Sequence, residues 1–324
     1  MTDRQFRLIS VVIPLFNEEE CFPFLHTRLV SVLESLNVSY EVIYVDDAST
    51  DKTLELLTQE AQKSKAIKYL TFSRNFGHQA AISAGMTKSS GDITVIMDGD
   101  LQDPPELIPK FISQWECGGD VVYASRKNRK ENFILKTCYY LFYRLLQKMT
   151  EIPFPLDAGD FCLLDRRVLN VINGLPERSR FIRGMRAWSG FTQVGVEYDR
   201  DARTTGKTKY SVRQLFRLAV DGITGFSNFP LRLCVHLGWI IASLSLLGFL
   251  VTVICRFFIP DMPVGWASIL ASIFFLGGVQ LTMLGVVGTY IGRIYKEVQR
   301  RPLYLFKGSG NLNIEDDINE ATFF

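Results

Sequence analysis

The chain has 324 residues and a formal net charge of +2. That length allows one large or two medium domains, and the near balance of charge excludes the global basic field that nucleic-acid binding would call for. The six cysteines, at positions 21, 117, 138, 162, 234 and 255, form no C-x-x-C pair, which points away from a zinc site or a disulfide framework and toward ordinary buried thiols of a reducing compartment.

Ile9 to Phe16 is a β-branched run that predicts a buried strand, ended by the polar loop Asn17 to Glu20. A helix is expected over Cys21 to Leu36, and a second buried strand over Tyr40 to Val45, closing on the acidic loop Asp46 to Asp51. Ser49 or Asp51 can cap the helix that starts near Thr53. A third strand, Ala66 to Phe72, leads through Ser73 to Gly77 into an Ala- and Gly-rich helix over His78 to Ser89. Ile93 to Met97 is the fourth strand. It runs into Asp98, Gly99, Asp100, Leu101, Gln102 and Asp103, after which Pro104 and Pro105 stop the strand and Glu106 opens a helical pattern. Strands alternating with helical stretches in this way indicate βαβ units and a mostly parallel α/β sheet. Carboxylates at the C-terminal ends of such strands lie where these sheets bind ligands. Paired hard oxygens suit Mg2+ or Mn2+, which also takes oxygens from a substrate phosphate. No G-x-G-x-x-G follows the first strand, which argues against a dinucleotide-type Rossmann site.

Further strands are expected at Val121 to Ala124, Phe161 to Leu164 and Gly195 to Tyr198, the first followed by a basic stretch from Arg126 to Lys130. Ile134, Cys138, Leu141, Leu145 and Met149 form one stripe of a helix over residues 133–149, with Lys136, Arg144 and Lys148 on another face. Such a helix can lie in a membrane interface, and residues 211–230 have the same character. Asp157 and Asp160 flank the start of the strand at Phe161. Arg203, Lys207 and Lys209 fall in a basic, Gly-containing loop.

No Asp, Glu, Lys or Arg occurs between Arg232 and Arg256, or between Asp261 and Arg293. Runs that long span a bilayer. They predict a two-helix hairpin at about 233–257 and 265–291, and the Lys and Arg on its flanks place both flanks in the cytoplasm. Glycines at 277, 278, 285, 288 and 292 allow close helix packing, within or between subunits. Arg301 to Phe306 reads as an edge strand. The organisation expected is a catalytic domain over 1–210, an interface helix over 211–230, two spans within 231–292, and a cytosolic tail over 293–324 containing a short strand.

Together, Val12 to Glu18, Val45 to Asp51, Ser73 to Gly77, Met97 to Glu106, Ala158 to Phe161 and Arg203 to Tyr210 resemble the polyprenyl-phosphate glycosyltransferases of the inverting, GT-A-fold family 2. Within that group, Asp160 and Phe161, the segment Leu175 to Arg178 and the span Gly277 to Tyr295 read most like bactoprenol glucosyltransferases, relatives of the dolichol-phosphate mannose synthases. The Q-x-x-R-W motif of processive family members is absent, since Met185 to Trp188 lacks its glutamine and spacing. The resemblance implies that Pro14, Phe16, Glu18, Asp46, Asp47, Asn75, Asp98 and Gly99 line the nucleotide. It implies that Asp98, Asp100 and Gln102 hold Mg2+ or Mn2+ on the donor diphosphate. Arg126, Arg203, Lys207 and Lys209 then hold the acceptor phosphate, and Asp157 and Asp160 position a sugar hydroxyl or assist the acceptor. The implied partners are a sugar nucleotide, UDP-glucose foremost, a polyprenyl phosphate, the membrane, and further copies of the chain, four by family likeness. GDP-mannose, UDP-N-acetylglucosamine or a UDP-modified arabinose are alternative donors. A non-catalytic membrane scaffold is the reading from a different class.

Overall fold

A computed structural model describes residues 4–126, 158–178, 180–198, 229–258 and 265–314. The interface helix expected at 133–149 lies outside the described residues, as does all but the end of the one expected at 211–230. The described residues fall into two compact units, one containing the sheet and the tail strand, the other containing the two long C-terminal helices.

The first unit is built on an eight-stranded sheet. Its strands are β1 (Leu8–Leu15), β2 (Ser39–Asp46), β3 (Ile67–Phe72), β4 (Ile93–Ile96), β5 (Val121–Arg126), β6 (Ala158–Asp165), β7 (Gln193–Tyr198) and β8 (Phe306–Gly310), in the spatial order β7-β5-β6-β4-β1-β2-β3-β8. The centre, β4-β1-β2-β3, is parallel, with Val12 beside Ile43 on one side and Ile96 on the other. β6 is inserted antiparallel between β4 and β5, and β7 runs parallel to β5. The sheet is therefore mixed, with a parallel core, and GT-A-like.

Helices cover the faces of the core strands. In α1 (Phe22–Ser35), Phe22, Leu25, Leu29 and Leu33 recur at helical spacing, and all four are buried. α2 (Thr53–Lys63) begins where Asp51 accepts a hydrogen bond from Thr53 N, so Asp51 is the capping side chain of the two candidates, while Ser49 Oγ accepts from Asn17 N. α3 (His78–Lys88) lies so close to the sheet that a Cβ at Gly85 would come within 2.3 Å of Val12 Cγ1. The small residues of that helix set its distance from β1. α4 (Ile108–Glu116), α5 (Arg166–Gly174) and α6 (Ile182–Trp188) complete the unit.

The tail strand sits further along the chain than expected. Pro302 has no N–H to give a ladder. Leu303 and Tyr304 turn their side chains onto the core, Tyr304 stacking on Phe72 with centroids 5.2 Å apart. Leu305 O accepts from Ser73 N, and the antiparallel ladder with β3 then begins at Phe306.

The second unit contains α7 (Phe229–Phe258) and α8 (Trp266–Val298). Within them, Leu231–Gly248 and Phe275–Val298 are long and apolar enough to cross a membrane, and none of either stretch is buried inside the protein. Side chains such as Trp239, Leu246 and Leu281 are exposed. This pair of bare apolar helices matches the expected hairpin and is consistent with membrane anchoring.

A buried polar cluster closes the sheet's other end. Glu41 on β2 accepts from Ser10 Oγ at 2.5 Å, Lys68 Nζ at 2.5 Å and Ser90 N at 2.6 Å. Burial alone would raise the Glu41 carboxyl, but these donors outweigh it and hold its pKa below the usual value. A carboxylate whose folded pKa is depressed contributes stability above its unfolded pKa, and that contribution is lost as pH falls through the folded value. We expect Glu41→Ala, which strands Lys68, to cost about 3 kcal/mol at neutral pH. The difference in thermal midpoint between the variant and the parent should shrink as the solution is acidified below the carboxylate range.

Candidate active site

The C-terminal ends of β1, β2 and β4 converge, and each runs into a loop with a non-glycine residue in the left-handed region: Asn17 (φ 55°), Ala48 (φ 60°) and Leu101 (φ 61°). Such backbone is costly and persists only where the surroundings impose it. The loops are tied to one another. Asn17 Oδ1 accepts from Thr50 N at 2.8 Å, Glu18 N donates to Thr53 Oγ1, and Glu19 N donates to Asp51 Oδ2. Pro14 is buried at the end of β1, and Phe16, just beyond it, is exposed.

Asp46 and Asp47 end β2 and are both buried, yet their partners differ. Asp46 Oδ2 accepts from Thr71 Oγ1 at 2.7 Å, and its Oδ1 accepts from Ser49 N. Asp47 receives the N–H groups of Phe76 and Gly77 at 2.7 and 2.9 Å. Burial, with Asp46 alongside, raises the Asp47 carboxyl despite those two donors. Asp47 thereby fixes the Ser73–Gly77 loop over the sheet edge. Asn75 lies exposed on that loop.

The turn after β4 is pressed against β1. A Cβ at Gly99 would stand 2.3 Å from Leu15 Cδ2 and 3.1 Å from Pro14 O, so any larger residue would have to displace the Leu15 side chain. Asp100 Oδ1 accepts from Gln102 N at 3.2 Å, which closes the turn, and Gln102 is buried. The buried Asp103 accepts from Tyr198 Oη at 2.8 Å. That bond ties the turn to the end of β7, ninety-five residues further along the chain.

Asp160 reaches this turn through strand pairing. β6 runs antiparallel to β4 with Ile96 opposite Cys162, and continuing that register by two residues sets Asp160 beside Asp98. Arg183 of α6 grips Asp160 with both ends of its fork, at 2.7 and 2.8 Å. His78, the first residue of α3, has Nε2 at 3.4 Å from Asp98 Oδ1 and 3.6 Å from Asp160 Oδ2. α3 and α6 are joined here, since Gln79 Oε1 accepts from Ile182 N. Burial would raise the Asp160 carboxyl, but Arg183 and His78 hold it far below the ordinary range. Asp98 goes the other way. Burial, reinforced by repulsion from Asp103, Asp160 and Asp100, pushes it up to about 7 in spite of His78.

Neither His78 nor Arg183 was singled out as a site residue from sequence. Their signals there were faint: a histidine opening a helix directly after a glycine, and one arginine among several near an aromatic segment. Asp157, Arg203, Lys207 and Lys209 lie outside the described residues, and of Arg126 only the backbone is described, at the end of β5 opposite Tyr198.

No cluster of three His, Cys, Asp or Glu side chains arranged for a metal is found among the described residues. The edge nevertheless fits a divalent cation. Asp98 Oδ1 is buried with no hydrogen-bond partner, a state that is expensive for a carboxylate. The Asp98–Asp100 pair offers hard oxygens of the kind Mg2+ and Mn2+ take. The cation's charge would relieve the repulsion that raises Asp98.

A GT-A-like sheet with an acidic turn of this kind at its C-terminal edge defines a class, and the sequence comparisons agree with it. Residues 10–172 match the family model for glycosyl transferase family 2, and the chain belongs to that family. It is 45% identical over 300 residues to an uncharacterised glycosyltransferase of Synechocystis sp., covering 92% of this chain and 94% of that one. It is 40% identical over 303 residues to the SfII prophage-derived bactoprenol glucosyl transferase of Shigella flexneri, covering 93% and 98%. Among solved structures it is similar to glucosyl-3-phosphoglycerate synthase from Mycobacterium tuberculosis in complex with Mn2+, uridine diphosphate and glucosyl-3-phosphoglycerate, with 19% identity, 67% of this chain and 78% of that chain covered, and a TM-score of 0.45.

The Tyr198–Asp103 bond is the tether of the acidic turn that lends itself to removal without changing charge. Tyr198→Phe takes the phenolic donor from a buried carboxylate and should cost about 1–2 kcal/mol, measured as a fall in the thermal midpoint of the purified protein. An unchanged midpoint would show that the turn is held by its other contacts.

Proposed function

We propose that this glycosyltransferase moves a hexose, glucose from UDP-glucose, onto a polyprenyl phosphate at the cytosolic face of a membrane, with inversion at the anomeric carbon. The observation that carries the reading is the buried Asp98 Oδ1, which takes no hydrogen bond, at the strand-end turn beside Asp100. Its support on the acceptor side is the 40% identity to bactoprenol glucosyl transferases along nearly their whole length, together with the two bare apolar helices.

In this reading Asp98, Asp100 and Gln102 hold the divalent cation, which when bound neutralises charge on the departing diphosphate. Asp47 fixes the Phe76–Gly77 backbone over the nucleotide, and Pro14, Phe16, Glu18 and Asn75 line the base and ribose. Arg126, Arg203, Lys207 and Lys209 hold the incoming phosphate against repulsion from the diphosphate. Asp160, kept ionised by Arg183, is a weak base and a strong hydrogen-bond acceptor, so its part is to orient a hydroxyl of the sugar. Asp157, three residues earlier in the sequence, is taken to position a sugar hydroxyl or to assist the acceptor. The catalytic domain is taken to extend over 1–210, the interface helix over 211–230 and the spans over 231–292, with the tail from 293 and both termini in the cytoplasm. Oligomerisation through the glycine-bearing face of α8 belongs to the same reading.

The deciding experiment offers the purified protein a panel of sugar nucleotides with a short-chain polyprenyl phosphate and Mg2+ or Mn2+. Transfer from UDP-glucose should outrun the other donors, and absence of any lipid-linked sugar with every donor would overturn the proposal. Asp98→Asn and Asp100→Asn should each lower kcat by about a hundredfold or more with the fold intact by circular dichroism, and near-normal turnover would remove them from the metal site. Arg203→Ala should raise KM for the lipid phosphate and leave UDP binding unchanged, whereas equal loss of both would make Arg203 a donor-side or structural residue.

A further inference from the structure

His78 stands where α3 begins, and its ring is the side chain that lies between Asp98 and Asp160. Its backbone is set by the loop that Asp47 clamps through Phe76 N and Gly77 N, and the helix start is fixed by the Gln79–Ile182 bond to α6. The imidazole is therefore delivered to the acidic edge by two independent anchors. Its Nε2 lies 3.4 Å from Asp98 Oδ1, an ion-pair contact without the geometry of a hydrogen bond, and among the described residues Oδ1 takes no hydrogen bond. The ring is well exposed, at 43%, while the Asp160 side chain beneath it is only 9% exposed. The imidazole thus covers Asp160, while the Asp98 side chain keeps 27% of its surface open to solvent. Asp160 does not depend on His78 for its position, because Arg183 already binds both of its oxygens.

We propose that His78 is a positioning residue that occupies the open side of Asp98 Oδ1 in the donor-free protein and yields it when a divalent cation arrives, so that the ring sets how tightly the cation is held. The inference rests on the reading of Asp98 as a metal ligand. A group that shields a buried carboxylate from an unpaired state stabilises the metal-free protein, and whatever stabilises that state weakens cation binding by the same amount. The site then releases its cation more readily than two bare carboxylates would. Residues that ligate directly behave in the opposite way, since their removal can only weaken binding.

Direct Mn2+ titration of the full-length protein in detergent, followed by the electron paramagnetic resonance of free Mn2+, tests this without reference to turnover. Removing the ring by His78→Ala should tighten Mn2+ binding up to about fivefold, the upper end of what a solvent-exposed ion pair contributes. His78→Gln, which keeps an N–H donor but loses the ring, should give a smaller gain and guards against a local collapse in the alanine variant. Mn2+ affinity that is unchanged or weaker in both variants would overturn the proposal. Asp98→Asn in the same assay separates the two levels. If it abolishes Mn2+ binding while the His78 variants bind as the parent does, only the role of His78 falls. If Asp98→Asn binds Mn2+ as the parent does, the metal reading falls and takes this inference with it.

Discussion

Six carboxylates, those of Asp46, Asp47, Asp98, Asp100, Asp103 and Asp160, are drawn to one edge of the sheet. Bringing like charges together out of water is unfavourable unless each finds a donor or a counter-charge, and the local architecture follows from how those partners are supplied. Asp46 is satisfied by Thr71 and Ser49 N, Asp47 by the backbone of the Phe76–Gly77 loop, Asp103 by Tyr198, and Asp160 by Arg183. Each partner comes from a different part of the chain, so charge neutralisation also fixes the loops. Among the described residues Asp98 Oδ1 is the buried carboxylate oxygen left without a hydrogen bond. The counter-charge nearest to that oxygen is the His78 ring, at 3.4 Å.

The left-handed residues belong to the same constraint. Asn17, Ala48 and Leu101 each follow a central parallel strand and turn the backbone sharply at its end. A gentler exit would carry Glu18, Ser49 and Gln102 away from the edge and undo the bonds that lace the loops together. Strain at these turns is offset by Asn17 Oδ1 on Thr50, Asp51 on Glu19 N and Thr53 N, and Asp100 on Gln102 N. β1 and β2 end level, Leu15 opposite Asp46, whereas β4 pairs with β1 only as far as Ile96 opposite Val12, so Leu101 turns the chain five residues beyond its strand.

The central strands, and with them the acidic turn, are readable in the sequence because burial on both faces leaves an uncharged run rich in β-branched residues. That is what Val11 to Leu15, Val42 to Val45 and Ile93 to Ile96 are. The apolar spans were readable for a similar reason, as uncharged length. The pairing of Asp160 with Asp98 was not, because it depends on β6 entering antiparallel between β4 and β5, and chain order says nothing of that insertion. His78 and Arg183 were missed with it, since their role exists only once β6 and α6 are in place. Glu41 falls inside the expected strand Tyr40 to Val45, and its partners Ser10 and Lys68 emerge only from the packing that leaves it 3% exposed. The tail strand was displaced by five residues because Leu303 and Tyr304 are apolar enough for a strand but are used to cover Phe72.

The state of Asp160 bears on the chemistry of the acceptor. A carboxylate held far below its usual range by a forked arginine gives up little by staying ionised and gains little by taking a proton, so it abstracts protons poorly. An alcohol acceptor needs a base, because its oxygen attacks well only as the proton leaves. A phosphate monoester has its second pKa at about 6 and presents an anionic oxygen at neutral pH. It needs its charge held and its line of attack fixed, and Asp160 can help fix geometry without moving a proton. An ionised Asp160 held by Arg183 beside Asp98 is thus in keeping with the proposed phosphate acceptor.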